Sequence, residues 1–175
     1  MYNMRDNDLE AIWMMTKKHF SNSSLKNFVG ISPDSREVEV FKTLVPGANI
    51  TTKYRKDWDL NNPADFTTDV MWATNVFMYS NDPDRWFMNV LNSCKYFLLT
   101  DNTRAWRGGS VGELGDDGDS MRYYMDLYTK PDLKNAYCLN QLSPIDFQKY
   151  TMPSKCGVKG FEEAVTFSCL IRGRI

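Results

Sequence analysis

Two side chains sit where an α/β sheet places its chemistry. Asn75 lies near the end of an apolar run at 70–76, and Asp101 directly follows a second such run and its closing threonine. Open parallel sheets bind ligands beyond the carboxyl ends of their strands, so both positions face the edge where function is expected. Arg104, Trp106 and Arg107 follow in a glycine-rich stretch at 102–122, offering cationic groups and a flat aromatic surface for a base or a sugar. Trp106, between two arginines, reads as exposed, whereas Trp72 and Trp86 fit a buried strand and an apolar helix face. Glu113, Asp116, Asp117 and Asp119 form an acidic cluster of the kind that hard cations prefer. Its spacing is not that of an EF-hand loop, so a solvated turn paired with Arg104, Arg107 or Arg122 is the better reading, and no metal is assigned. His19 is the single histidine. Without it no Ser-His-Asp triad can be assembled, and a His-rich zinc site is excluded. It reads as a helix-end residue, where a cationic ring favours the dipole, rather than as a catalytic base.

The elements that must hold these residues follow from periodicity. Residues 6–20 place Leu9, Ile12, Trp13, Thr16 and Phe20 on one helical face. A short strand follows within 26–32. Asp34 and Glu37 then have the spacing of a capping box, opening a helix that stops at Pro46-Gly47. A β-branched strand at 48–52 completes a strand–helix–strand unit. The tetrad Asp57-Trp58-Asp59-Leu60 fits either a minimal third strand or a loop. The stretch 68–101 is the second unit: an apolar strand, Asp82 and Pro83 to start a helix, and the strand 96–99. In that helix Trp86, Phe87, Val90 and Leu91 share one face. Crossovers of this length make the strands parallel. Residues 136–142 fit a strand ended by Ser143-Pro144. Residues 164–171 alternate and predict a closing antiparallel strand near an edge.

At 175 residues the chain suits one domain with a real core, here an opening helix over 1–25 and an α/β domain over 26–175. A net charge of −1 argues against nucleic-acid or anionic-membrane partners, both of which need clustered positive charge. No apolar stretch is long enough to span a bilayer, and the first eight residues are too polar for a signal peptide. The four cysteines form no CxxC pair, which predicts a reduced, cytoplasmic protein.

Two strand–helix–strand units, a glycine-rich connection and a closing antiparallel strand resemble the class I S-adenosylmethionine-dependent methyltransferases. The segment TDVMWATNVFMYSNDPDRWFMNVLNSCKYFLLTD looks like that family's fourth strand, following helix and fifth strand, and AVTFSCLIRG like its last strand. The resemblance implies a single-domain Rossmann-like fold, with a mostly parallel sheet and an antiparallel C-terminal strand. It also implies S-adenosylmethionine as cofactor. The family's first strand ends in an acidic residue and a Gly-x-Gly-x-Gly turn. Here Phe28 stands at the acidic position, Gly30 remains, and Ser32 and Asp34 replace the other two glycines. The ribose-binding acid after the second strand is also missing, since Lys53 and Tyr54 follow Thr52. The resemblance places Gly30, Ser32, Asp57, Asp59 and Asn75 on the cofactor side, with Asp57 or Asp59 standing in for an acid near the adenine. Asp101, Arg104, Trp106 and Arg107 fall on the acceptor side. With the motif so degenerate, weak or absent cofactor binding is expected. Two functions remain open: a methyltransferase for a small-molecule or saccharide acceptor, and a non-catalytic structural or protein-interaction module on the same fold.

Overall fold

The apolar run at 70–76 supplies the central strand of a mixed sheet. The computed structural model describes residues 6–77, 80, 82–102, 142–153 and 163–175. Its elements are α1 (Asp6–His19), β1 (Asn27–Ile31), α2 (Ser35–Leu44), β2 (Asn49–Lys53), β3 (Thr68–Thr74), α3 (Pro83–Leu91), β4 (Cys94–Asn102), β5 (Pro144–Pro153) and β6 (Glu163–Arg172). The six strands run in the order β2-β1-β3-β4-β6-β5. β1 pairs in parallel with β2 and β3, and β3 in parallel with β4. β6 is antiparallel to both β4 and β5. The chain leaves β1 outward to β2 and returns on the other side as β3. A switch in strand order therefore falls between the carboxyl ends of β1 and β3, where such sheets open a crevice.

Helices cover both faces. On one, Ile12 and Met15 of α1 and Phe41 of α2 pack over Phe28, Val70, Trp72, Leu98 and Leu170. Phe41 stacks on Trp72 with centroids 3.9 Å apart. On the other face, Trp86, Phe87, Val90 and Leu91 of α3 pack over Met71, Phe97 and Leu99, joined by Phe77, Trp58 and Leu60. Asp82 caps α3 by accepting from the Arg85 N–H, and Pro83 occupies its first turn, as the sequence predicts.

The closing strand is antiparallel and lies one strand in from the edge, with β5 outside it. One expectation is corrected: Pro144 opens that outer strand instead of marking a stop. A proline at each end of β5 suits an edge, where a missing N–H breaks no ladder. The tetrad at 57–60 resolves as a turn, with the Trp58 N–H donating to the Tyr54 carbonyl, and Trp58 and Leu60 buried. Apart from Leu142, the strand expected at 136–142 lies outside the described residues.

Candidate functional site at the carboxyl edge of the sheet

Sequence alone places a turn after β1, and the backbone gives it an unusual shape. Ser32 has φ 46°, in the left-handed region that a side chain tolerates poorly. Asn75, just beyond β3, has φ 57°; asparagine is among the non-glycine residues that accept this best. These are the positive-φ non-glycine residues among those described, and they flank the switch between β1 and β3. Gly30 has a different reason to be glycine. A Cβ there would stand 2.4 Å from the Trp72 ring, so the indole fills the space that a side chain needs.

The turn is tied down by α2. The Asp34 carboxylate accepts from the Arg36 backbone N–H at 2.9 Å, and the Arg36 guanidinium reaches it at 3.2 Å. Those contacts, the guanidinium first, hold the Asp34 carboxyl below its ordinary range. Glu37 closes the capping box by accepting from the Asp34 N–H, and also accepts from the Trp72 indole N–H at 3.1 Å. Glu37 is buried, and the loss of water pushes its carboxyl up to about 7. The sequence announces the capping box but not this burial or the contact with Trp72.

Beyond β2 the chain folds back on itself. The Asp57 carboxylate accepts from the Tyr54 N–H at 3.0 Å, so an acid stands at the carboxyl end of β2, although Lys53 and Tyr54 occupy that place in sequence. Its second oxygen makes no hydrogen bond among the described residues. Asp59 instead serves its own turn, accepting from the backbone N–H of Asn61 at 3.0 Å and the side-chain amides of Asn61 and Asn62. The Tyr54 hydroxyl donates to the Pro33 carbonyl at 3.3 Å, joining the loop after β2 to the turn after β1.

Asn75 points its amide at α1. Its Nδ2 donates to Asp8 Oδ2 at 3.1 Å, while the Thr166 hydroxyl donates to Asp8 Oδ1 at 2.8 Å. Asp8 is fully buried, and sequence reasoning missed it because both partners are remote in the chain. The Asn75 side-chain oxygen and the Thr74 hydroxyl are buried without a hydrogen-bond partner of good geometry. Asp101 belongs to β4, opposite Phe167, and is fully buried. Arg104, Trp106, Arg107 and the acidic cluster at 113–119 lie outside the described residues. Among the described residues no group of three or more His, Cys, Asp or Glu side chains could hold a metal ion, and no helix is long and apolar enough to cross a membrane.

His19 is held away from this edge. Its Nε2 lies 2.7 Å from Asp146 Oδ2, an oxygen also reached by Lys18 at 2.9 Å. Burial raises the Asp146 carboxyl, but hydrogen bonds from Lys18, His19 and Gln148 outweigh it and hold it well below its ordinary range. His19 thus fastens the end of α1 to β5, a contact that the sequence reading of a helix-end surface residue did not include.

Strand order, the two left-handed strand ends and the antiparallel β6 define the fold as that of the class I S-adenosylmethionine-dependent methyltransferases. Among solved structures, the chain is similar to the N-terminal domain of EvdMO1 with S-adenosylhomocysteine bound, at TM-score 0.53 and 8% identity over 98% of this chain and 83% of that one. It is similar to the plantazolicin methyltransferase BpumL in complex with a pentazolic desmethylPZN analog and S-adenosylhomocysteine, at TM-score 0.52 and 12% identity over 95% and 84%. A third is the putative methyltransferase in complex with the Haloferax volcanii Trm112 methyltransferase activator, at TM-score 0.52 and 7% identity over 97% and 92%. No protein-family model and no curated sequence matches the chain.

Proposed function

We propose that the chain is an S-adenosylmethionine-dependent methyltransferase acting on a small-molecule or saccharide acceptor. The observation that carries this reading is Asp57. Its carboxylate accepts from the N–H of Tyr54, the first residue after β2, and Tyr54 in turn reaches the turn after β1 through its hydroxyl on the Pro33 carbonyl. A carboxylate in that position can accept from the two hydroxyls of a ribose, replacing the acid that sequence order lacks. In this assignment the backbone of the turn after β1, above Gly30 and through Ser32, takes the amino-acid portion of the cofactor. Asp57 takes the sugar, with Asp59 and Asn75 at the margins. When bound, the cofactor supplies an electrophilic methyl carbon. The protein's task is then to hold an acceptor in line with it and exclude water. Asp101 anchors the acceptor side from within β4, and Arg104, Trp106 and Arg107 meet the acceptor. A cytoplasmic setting accords with the buried cysteines of the described residues, among them Cys94, whose thiol donates to the Val90 carbonyl and is pushed up to about 12 by burial.

One observation favours a second reading, a non-catalytic protein-interaction module. The Tyr54–Pro33 hydrogen bond spans the two turns that a cofactor must enter between, and Ser32 and Asp34 add side chains where the family has glycine.

Calorimetric titration with S-adenosylmethionine and S-adenosylhomocysteine separates the two. The degenerate motif alone predicts weak or absent binding. With Asp57 supplying the missing acid, the expected result is instead micromolar binding that weakens roughly ten- to a hundredfold in Asp57→Asn, the loss of one charge-assisted hydrogen bond of about 1.5–3 kcal/mol. No binding by the unmodified chain refutes the methyltransferase reading in favour of the module.

A further inference from the structure

We propose that Glu37 is a positioning residue, a proton-gated clamp that fixes the turn after β1 against β3 when ionised and loosens it when protonated. The inference deepens the cofactor-site reading, because the clamped turn is the one assigned to the cofactor's amino-acid portion. Three observations converge on it. Glu37 is a carboxyl in the first turn of α2 that is 1% exposed, although a charged glutamate is almost never fully buried unless paired. It accepts from two donors of different origin, the Asp34 N–H in the turn and the Trp72 indole N–H on β3. Trp72 in turn lies against Gly30 and stacks on Phe41, so the same indole reaches β1, β3 and α2.

The switching chemistry is that of a carboxyl group. Ionised, it offers an acceptor oxygen to each N–H. Protonated, one oxygen becomes a donor and one of the two bonds to Asp34 or Trp72 weakens. The Thr74 hydroxyl beside it leans toward the ionised carboxylate as a further, poorly aligned donor, and its rotation lets it accept from the protonated form instead. Burial places the transition at about 7. The surrounding charges leave it there. Asp34 opposes ionisation, and Arg36 is engaged with Asp34. From β3 come only the uncharged Trp72 and Thr74. α1 directs Asp8 to Asn75 and Thr166, and β2 ends in Lys53, whose ammonium lies over Phe66 at 4.8 Å.

The test begins without ligand. In a pH titration followed by NMR, the Trp72 indole and Asp34 amide resonances should move together with a midpoint near 7, in step with the Glu37 carboxyl carbon. In Glu37→Gln the two N–H resonances should stay still over the same range. A carboxyl midpoint below about 5, the ordinary glutamate range, or N–H shifts that persist in the variant, overturns the proposal. The carboxyl-carbon titration needs only the unmodified chain, so it decides the matter even if the variant fails to fold. The second arm measures S-adenosylhomocysteine affinity at pH 6 and 8. If the clamped form is the competent one, its population rises from about a tenth to about nine-tenths, and affinity should rise about ninefold. Glu37→Gln should show no such rise. Binding that is equal at both pH values overturns the coupling to the ligand. Absence of binding at every pH defeats the cofactor reading, while the NMR arm still decides the clamp.

Discussion

Glu37 also carries a cost that can be read from stability alone. Its folded-state pKa, pushed up to about 7, lies above its unfolded value near 4.5. Between these values the folded chain holds a proton that the unfolded chain has released. Stability from this group is therefore full at low pH and is lost as pH rises toward 7. Between pH 5 and 8 the unmodified protein should lose about 2–3 kcal/mol relative to Glu37→Gln, whose side chain does not titrate. Urea denaturation of both proteins at the two pH values measures this. Asp34 and Asp146, held low by their partners, change only below that window. At this scale, spacing made the cap legible, since Asp34 and Glu37 are three residues apart. Burial and the indole contact were not, because Trp72 lies 35 residues away.

Among the elements, α3 shows how far local pattern reaches. Asp82, Pro83 and one apolar face announced its start and its packing, and Phe87 lies in contact distance of Phe77 and Phe97 with centroids 4.5 and 6.1 Å away. Phe87→Ala should destabilise the protein by about 3–5 kcal/mol, measured by chemical denaturation, because the sheet beneath cannot follow the lost ring. β5 was illegible for the opposite reason. Its sequence, PIDFQKYTMP, mixes charge with apolar residues and is flanked by prolines, so its identity depends on β6 beside it. The acid at the end of β2 was hidden similarly. Asp57 reaches it through a turn that only the folded chain defines.

For the whole molecule, the two parallel units were legible because each is contiguous and each crossover is short. The closing hairpin was half legible: alternation identified β6, but nothing in it said which neighbour lay outside. The polar contact that unites the sheet's carboxyl edge was not legible at all. Asp8 accepts from Asn75 and Thr166, at separations of 67 and 158 residues. Asp8→Ala should cost about 2–4 kcal/mol, since it strands two buried donors at once. Denaturation of the variant beside the unmodified chain tests this.

That same aspartate sets an order of assembly. α1 precedes the six strands of the sheet in chain order, yet its buried carboxylate meets Thr166 only when β6 has been made. Until then the first helix cannot settle on the sheet with the Thr166 donor in place, and burying it early leaves one Asp8 oxygen short of that hydrogen bond. The parallel units have all their strands before β6 is made, so the Asp8–Thr166 contact, the most distant in the network, is completed only after them.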